Sequence, residues 1–300
     1  MDNKTEIHEF LATRRARLTP EQAGIPAYGG NRRVAGLRRE EVAMLAGVSV
    51  DYYVRLERGN LSGVSESVLE SLVRALQLDD TERAHLFDLA RTANSSVGTR
   101  RRTPSNRVRP GVQRLLDSIS APAWVRNGRM DVLATNILGR ALYAPVFESP
   151  IQPSNTARFA FLDPRAADFW GDWDRITRET VATLRAEAGR NPFDKGLTDL
   201  IGELSTRSEL FRTLWAKHDV HQHRSGAKKL HHPIVGDLDL DLGYEALELV
   251  TDEGLTLLSY SAEPGSPSAE ALNLLASWAA TEQLAAAADS SDASTRGRPV

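Results

Sequence analysis

The chain has 300 residues, 41% of them hydrophobic, and a formal net charge of −3, which suits about two domains with sizeable buried cores. It contains no cysteine, and this excludes a disulfide scaffold and a cysteine zinc site. No apolar run approaches the ~20 residues of a membrane span and the first residues lack a signal peptide's apolar core, so we expect a cytoplasmic protein without membrane contact.

The charge is unevenly distributed along the chain. Residues 1–112 carry 18 Lys and Arg against 14 Asp and Glu, whereas residues 113–300 carry 19 against 26. The first part therefore tolerates phosphate groups and the second part repels them. This asymmetry supports a nucleic-acid-binding function only in combination with a binding motif.

The first predicted elements are a helix and a long loop. The helix covers residues 5–17, with Ile7, Phe10 and Leu11 on its apolar side. Residues 18–36 contain two prolines and four glycines, which predicts a loop. Arg33 lies in this loop just before the next helix, where its side chain is either solvated or in contact with a phosphate.

Two short helices joined by a tight turn are predicted next. Val42, Leu45 and Ala46 recur at helical spacing, so the first helix, 38–46, is expected to bury them. Gly47 suits the left-handed backbone that ends a helix, and Ser49 is placed to cap the second helix, 50–58.

The second of these helices has one buried face and one exposed face. Tyr53 and Leu56 are expected to pack against the first helix, because they lie three residues apart. The outward face carries Asp51, Arg55 and Arg58, with Val50 and Tyr52 at its edge. A helix held in this way, with short polar and basic side chains exposed, can enter the major groove of DNA.

These residues resemble a known family. The segments Glu40-Glu-Val-Ala-Met-Leu-Ala-Gly-Val-Ser49 and Arg55-Leu-Glu-Arg-Gly59 are similar to the repressor/Cro-type, XRE-like helix-turn-helix of transcription regulators. The resemblance implies a DNA-binding domain with an operator in double-stranded DNA as its partner. It also implies a structural ion pair between Glu57 and one of the arginines that end the first helix.

The positions of the residues on the two helices suggest their roles. Arg38 and Arg39 start the first helix of the pair, where backbone amides and guanidinium groups meet phosphate. Val50, Asp51 and Arg55 are expected to contact base edges, and Arg55 suits a bidentate pair with guanine. The other candidate contacts are Arg33, Ser49, Tyr52 and Arg58. One helix-turn-helix buries little surface, so we expect a homodimer.

Five helices complete the N-terminal domain. Ser65 is expected to cap a fourth helix that runs to about Gln77, and a fifth begins after Asp79. We therefore expect an all-α helix-turn-helix domain at residues 1–93. Residues 94–110 form a basic linker whose three consecutive arginines at 100–102 are either a solvated hinge or a phosphate contact.

The remaining chain combines α and β patterns. The Asn127-Gly128 pair predicts a hairpin turn between strands 123–127 and 130–135. Further helices are predicted at 111–120, 136–143, 163–173, 175–188, 195–205, 209–217 and 269–280, and further strands at 220–224, 228–233, 237–249 and 255–262. An α+β domain at 111–282 and a disordered tail at 283–300 follow from these patterns.

The order of these elements resembles a PAS-like sensor fold, and the chain resembles the MmyB-like branch of helix-turn-helix regulators. Two of the supporting segments are Leu162-Asp-Pro-Arg-Ala and His231-His-Pro-Ile-Val-Gly-Asp-Leu. The resemblance implies a C-terminal domain that binds a small apolar ligand, with fatty acids as the suggested class. No cofactor is expected.

Ligand pockets are mostly apolar and contain a few polar groups. The aromatic residues expected to line the pocket are Trp124, Phe159, Phe161, Phe169 and Trp215, although core packing is the alternative for each of them. Asn136, His218 and His232 are the candidates for polar contacts with the ligand.

Other functional classes are not favoured. His218, His221, His223, His231 and His232 match no known zinc spacing, so no metal site is expected. The chain lacks the Gly-x-Ser-x-Gly, Gly-x-Gly-x-x-Gly and phosphate-loop motifs, so we do not expect an enzyme. The remaining alternative is a protein-interaction module, anti-sigma-like or antitoxin-like, whose helical domain binds a protein.

Overall fold

The structure is a computed structural model that describes residues 3–25, 34–94, 108–217, 228–240, 245–249 and 254–296. Its internal contacts divide the chain into two compact units. Unit 1 consists of Met1–Thr103 and Arg178–Gln222, and unit 2 of Pro104–Thr177 and His223–Val300.

The described residues form fourteen helices and six strands. The helices are α1 (Asn3–Arg17), α2 (Arg39–Ala46), α3 (Val50–Glu57), α4 (Glu66–Ala75), α5 (Asp80–Asn94), α6 (Pro110–Ser118), α7 (Ile137–Leu142), α8 (Ala144–Phe147), α9 (Thr156–Leu162), α10 (Ala166–Phe169), α11 (Trp173–Arg190), α12 (Lys195–Arg207), α13 (Glu209–Ala216) and α14 (Pro267–Arg296). The strands are β1 (Ala123–Asn127), β2 (Val132–Thr135), β3 (Lys229–His232), β4 (Gly236–Asp239), β5 (Glu245–Glu248) and β6 (Leu255–Ser259).

The first five helices belong to unit 1, and the predicted caps at Gly47, Ser49 and Ser65 are present. The Ser49 side chain caps α3 by accepting a hydrogen bond from the Tyr52 amide at 3.2 Å, and Ser65 caps α4 in the same way. Gly47 ends α2 in the left-handed conformation, with φ at 66°. The all-α fold expected for the N-terminal region is confirmed.

One hydrophobic core joins these five helices. Its fully buried members include Ile7, Phe10, Leu11, Val42, Tyr53, Leu56, Leu72, Leu86 and Leu89. The expected burial of Leu45 is wrong, because this side chain is 37% exposed while Ala43 is only 1% exposed. Both residues neighbour the buried face of a two-turn helix, and so short a pattern does not distinguish them.

Unit 1 also contains the end of α11 and all of α12 and α13. The division between the units falls inside α11, after Thr177. Leu200, Leu204 and Phe211 are buried side chains of this segment. These helices were expected in the 111–282 domain. Periodicity identifies the apolar face of a helix, but it does not identify the element that covers this face.

Unit 2 is an α+β structure, as expected. Its main sheet is antiparallel with the strand order β2-β1-β6-β5, so β1 and β6 are neighbours at its centre. Trp124 of β1 lies opposite Thr135 on one side and Leu258 on the other. β3 and β4 form a separate antiparallel pair in which Leu230 faces Leu238.

Several elements of unit 2 differ from the prediction. The single strand expected at 237–249 is divided into β4 and β5, with residues 241–244 outside the described residues, as is the strand expected at 220–224. The helix expected at 163–173 is reduced to α10, since Trp170 instead forms an isolated bridge with Leu230. The helices α8 and α9 were not predicted.

The last helix is longer than the sequence suggested. α14 runs to Arg296, whereas a disordered tail was expected from residue 283. The alanines at 285–288 explain the difference, because alanine has the highest helix propensity. In the described parts of the chain, no helix combines the length and apolar character required to cross a membrane.

Candidate functional sites

The outward face of α3 is exposed, and its inward face is fully buried. Asp51, Arg55 and Arg58 are exposed, and Val50 is 45% exposed, whereas Tyr53 and Leu56 have no exposed surface. We call the exposed residues Val50, Asp51, Arg55 and Arg58 the α3 surface. The structure therefore brings together the side chains expected to contact bases.

Arg55 and Tyr52 form a pair at the edge of this surface. The guanidinium carbon of Arg55 lies 5.1 Å from the centre of the half-buried Tyr52 ring, a cation–π distance. No carboxylate of the described residues forms an ion pair with Arg55. The ring restricts the side chain while its N–H donors stay available for a partner in solvent.

The arginines at the start of α2 are partly engaged within the protein. The Arg38 amide donates a hydrogen bond to Glu41 Oε2 at 2.6 Å, and its half-exposed side chain lies 3.5 Å from Glu40. Arg39 donates from Nε to Glu57 Oε2 at 2.9 Å, and 49% of its side chain is exposed. Arg33 lies outside the described residues.

Glu57 is the buried acceptor for two arginines. Arg15 Nη2 lies 2.7 Å from Glu57 Oε1, which confirms the implied pair between the first and third helices. Arg14 and Arg17 instead pair with Glu82. Burial by itself raises the pKa of Glu57, but the hydrogen bonds and charges of Arg15 and Arg39 outweigh it and hold that pKa below its usual value.

Three of the aromatic residues predicted for the ligand pocket lie together in the core of unit 2. Trp124, Phe159 and Phe169 are between 3% and 4% exposed. They belong to a group of aromatic side chains that we call the aromatic cluster: Trp124, Tyr143, Phe159, Phe169, Trp170 and Tyr260. Ring centres in this cluster lie as little as 4.2 Å apart, so these side chains pack against one another. Phe161 is half-buried at its margin.

Two of the predicted polar contacts, Asn136 and His232, already form hydrogen bonds within unit 2. Asn136 accepts hydrogen bonds from the amides of Gly139 and Ala123 and donates to the carbonyls of Ile119 and Ala121. It therefore caps α7 and joins it to β1.

His232 is also satisfied internally, since Nε2 lies 3.0 Å from the Ala141 carbonyl and Nδ1 is near the amides of Ile234 and Val235. Burial lowers the pKa of His232, so we assign a neutral ring that donates from Nε2.

The remaining predicted pocket residues are Trp215 and His218. Trp215 belongs to unit 1, where its ring stacks on Phe211 at 5.4 Å and lies beside Arg185. His218 lies outside the described residues, as do His221 and His223. His231 pairs with Asp237 at 2.5 Å, and within the described ranges no three His, Asp or Glu side chains are placed to hold a metal ion.

Unit 2 has an open groove of about 650 Å³ beside α6, α7, α8 and α14. Its apolar side chains include Phe147, the 48% exposed Ile137 and the 39% exposed Trp278. The Arg140 guanidinium carbon lies 4.5 Å from the centre of the Phe147 ring. The carboxylates at this groove are those of Asp117, Glu148 and Glu282, and Glu148 pairs with Arg165.

Of the predicted pocket residues that the structure describes, only Asn136 lines this groove. The predicted pocket residues did not include Arg140, Phe147 or Trp278. One signal was available: Ile137 and Arg140 lie three residues apart on a predicted helix and so share a face. An exposed isoleucine next to an arginine is compatible with an amphipathic binding surface.

Two family profiles match the chain, one over the region of the α3 surface and one over the region of the groove. The family profile "Helix-turn-helix domain" matches residues 9–86, which include α2 and α3. The profile "MmyB-like transcription regulator ligand binding domain" matches residues 108–275, more than half of the chain. No curated protein matches the chain. The chain thus combines a DNA-binding motif with a ligand-binding domain, and it belongs to the MmyB-like transcription regulators.

Proposed function

We propose that this protein binds a specific operator through the α3 surface and that a small apolar ligand in unit 2 regulates this binding. The observation that supports the proposal most is the exposure of Asp51 and Arg55 on a helix whose other face is fixed by buried Tyr53 and Leu56. A short helix oriented in this way can place side chains on base edges.

The contacts fall into two groups in this proposal. Val50, Asp51 and Arg55 contact base edges, and Arg55 pairs with guanine, a contact worth ~1–3 kcal/mol of discrimination. The phosphate and backbone contacts come from Arg33, Arg38, Arg39, Ser49, Tyr52 and Arg58. Arg39 then has two roles, since it also binds Glu57.

The proposed active form is a homodimer in the cytoplasm without enzymatic activity. Two α3 helices related by a two-fold axis read two half-sites separated by one helical turn of DNA. The operator is therefore expected to be an imperfect palindrome. In unit 2, two N-terminal strands followed by helices and further antiparallel strands support a PAS-like sensor fold.

Selection from a library of random duplexes with the purified full chain tests the DNA-binding part. We expect enrichment of a two-fold symmetric sequence, and a steep fall in affinity with salt because counterions are released from phosphates. If no sequence is enriched and binding to DNA is absent at low salt, the regulator proposal fails and the protein-interaction module is favoured.

The proposed ligand site is the groove, and the proposed ligand is fatty-acid-like, as the family resemblance suggests. Ile137, Phe147 and Trp278 provide the apolar surface for a chain. The Arg140 guanidinium, already stacked on Phe147, is available for a carboxylate head group. The carboxylates of Asp117 and Glu282 repel an anionic head group, so tight binding of an acid requires the contact with Arg140.

Calorimetry with three ligands of equal chain length tests the preferred head group. The ligands are a medium-chain fatty acid and the corresponding alcohol and amine. We expect the acid to bind most tightly and Arg140→Gln to reduce its affinity to that of the alcohol. Arg114→Gln, which removes an exposed arginine of α6 that does not line the groove, is the matched control. Preference for the amine, or an unchanged affinity of Arg140→Gln for the acid, contradicts this site.

A further inference from the structure

Part of the ligand-binding region is built into the unit that carries the DNA-binding helices. The matched ligand-binding domain spans residues 108–275, yet Arg178–Gln222 belong to unit 1. α11 is a continuous helix, Trp173–Arg190, and the division between the units falls after Thr177. Its first residues are therefore part of unit 2, and the rest of the helix is part of unit 1.

The first turn of α11 is fixed within unit 2. Trp173 donates a hydrogen bond from its indole Nε1 to the Ala160 carbonyl of α9 at 2.9 Å. Ile176 is 6% exposed and belongs to the hydrophobic core that contains the aromatic cluster. A rearrangement of that core therefore acts directly on the start of α11.

The other end of α11 is fixed within unit 1 by a buried ion pair. Arg185 has no exposed surface, and its Nη1 donates to Glu6 Oε1 of α1 at 2.7 Å. Its Nη2 donates to the Trp215 carbonyl, and its guanidinium carbon lies 4.2 Å above the Trp215 ring. Burial alone raises the pKa of Glu6, but His85 and Arg185 outweigh it and lower that pKa to about 2.

α5 takes part in the same contact. His85 Nε2 lies 3.7 Å from Glu6 Oε1, and a Cβ atom at Gly189 would come within 2.6 Å of Cε1 of the buried His85 ring. The Gly189 carbonyl accepts a hydrogen bond from Thr92 at 3.2 Å. The main chain of α11 therefore lies directly on α5, where a side chain at residue 189 does not fit.

From these contacts we infer that α11 carries the ligand signal, with the Arg185–Glu6 pair as the positioning contact that makes α1 follow α11. A buried charge without its partner is strongly unfavourable. Arg185 and Glu6 therefore either stay paired or each take another partner, which gives the contact two discrete arrangements. α1 also holds Arg15, the partner of Glu57 in α3. A shift of α1 therefore reaches the α3 surface. The inference rests on the proposed function, since it assumes DNA at that surface.

Hydrogen exchange of the full chain, free and with saturating selected duplex, tests the inference. DNA is expected to change the exchange of α11 amides by about fivefold or more, the lower end of ordinary coupling between sites. The double variant Glu6→Met/Arg185→Met replaces the pair by apolar side chains, which buried pairs often tolerate. We expect it to lose the change at α11 and to keep the protection of α3 by DNA.

Two further variants complete the test. Glu6→Gln keeps the shape of the side chain and is expected to reduce the DNA-induced change in exchange at α11. This variant provides the test if the double variant does not fold. Arg207→Gln removes an exposed ion pair with Glu203 in α12 and is expected to behave as wild type. If DNA protects α3 but not α11 in the wild type, or if the double variant retains the change at α11, the inference is overturned. Absence of protection at α3 contradicts the proposed function as well.

Discussion

Glu57 and Arg15 join α3 to α1 across 42 residues of sequence, with Arg15 Nη2 2.7 Å from Glu57 Oε1. The second oxygen of the same carboxylate binds Arg39 of α2 at 2.9 Å. One buried side chain therefore fixes the relative orientation of three helices. Since α3 carries the exposed residues Asp51 and Arg55, this network determines how they are presented to DNA.

Replacement of Glu57 by glutamine is expected to destabilise unit 1 by about 3 kcal/mol, because it leaves the mostly buried Arg15 guanidinium without a counter-charge. The measurement is hydrogen exchange of α1 and α3 amides in the full chain. Glu40→Gln is the control, since Glu40 is 64% exposed and lies 3.5 Å from Arg38, where a loss below about 0.5 kcal/mol is expected. Equal effects of the two changes would show that the network does not stabilise the unit.

Arg55→Ala and Arg38→Ala are expected to affect DNA binding in different ways. Loss of Arg55 removes a base contact, so affinity for the selected operator falls by ~1–3 kcal/mol and discrimination at one position is lost. Loss of Arg38 weakens binding to all sequences and reduces the salt dependence by about one phosphate contact. Arg39→Ala is also expected to weaken all sequences, although it breaks the Glu57 network as well. Quantitative binding to operator and random duplex decides the matter, and equal losses for Arg55 and Arg38 on both duplexes contradict the assignment.

The helix-turn-helix was predictable because its signals are local. Ser49 caps α3 and Gly47 ends α2 through backbone conformations that depend on neighbouring residues alone. The contacts of Arg185 were not predictable, since its partner Glu6 is 179 residues away. Sequence periodicity predicted a helix at 175–188, but it does not identify the residues that a helix contacts.

The ligand pocket was the least predictable part, for a related reason. Aromatic residues suit both a pocket and a core, and Trp124, Phe159 and Phe169 pack on one another. Composition does not separate these cases, because the difference lies in whether neighbouring side chains fill the space. Arg140 lines a groove only because α14 brings Trp278 beside α7, which no local pattern reveals.

Gly59→Ala and Gly63→Ala separate steric overlap from backbone strain. Both glycines have positive φ, 92° and 72°. A Cβ at Gly59 would overlap the main chain of Lys4, with Lys4 Cα at 2.7 Å, whereas a Cβ at Gly63 would meet nothing within 4 Å. We expect a loss of ~1–2 kcal/mol for Gly63→Ala and about 3 kcal/mol or more for Gly59→Ala. Hydrogen exchange of α1 amides measures the loss of stability in both variants. Equal losses would show that α1 moves away from residue 59 at little cost.

The stability of unit 2 is expected to decrease as the pH is lowered, because of His232. Burial lowers its pKa below the usual 6.5, so the unfolded chain binds a proton at a higher pH than the folded one. The stabilisation is therefore fully present above pH 6.5 and is lost as the pH falls towards the lowered value.

Urea unfolding followed by tryptophan fluorescence measures this loss of stability, since four of the five tryptophans lie in unit 2. His232→Gln keeps a donor for the Ala141 carbonyl and should remove most of the pH dependence in this range, whereas His231→Gln, at the 54% exposed His231, should retain it. If His232→Gln unfolds with the same pH dependence as the wild type, another group is responsible.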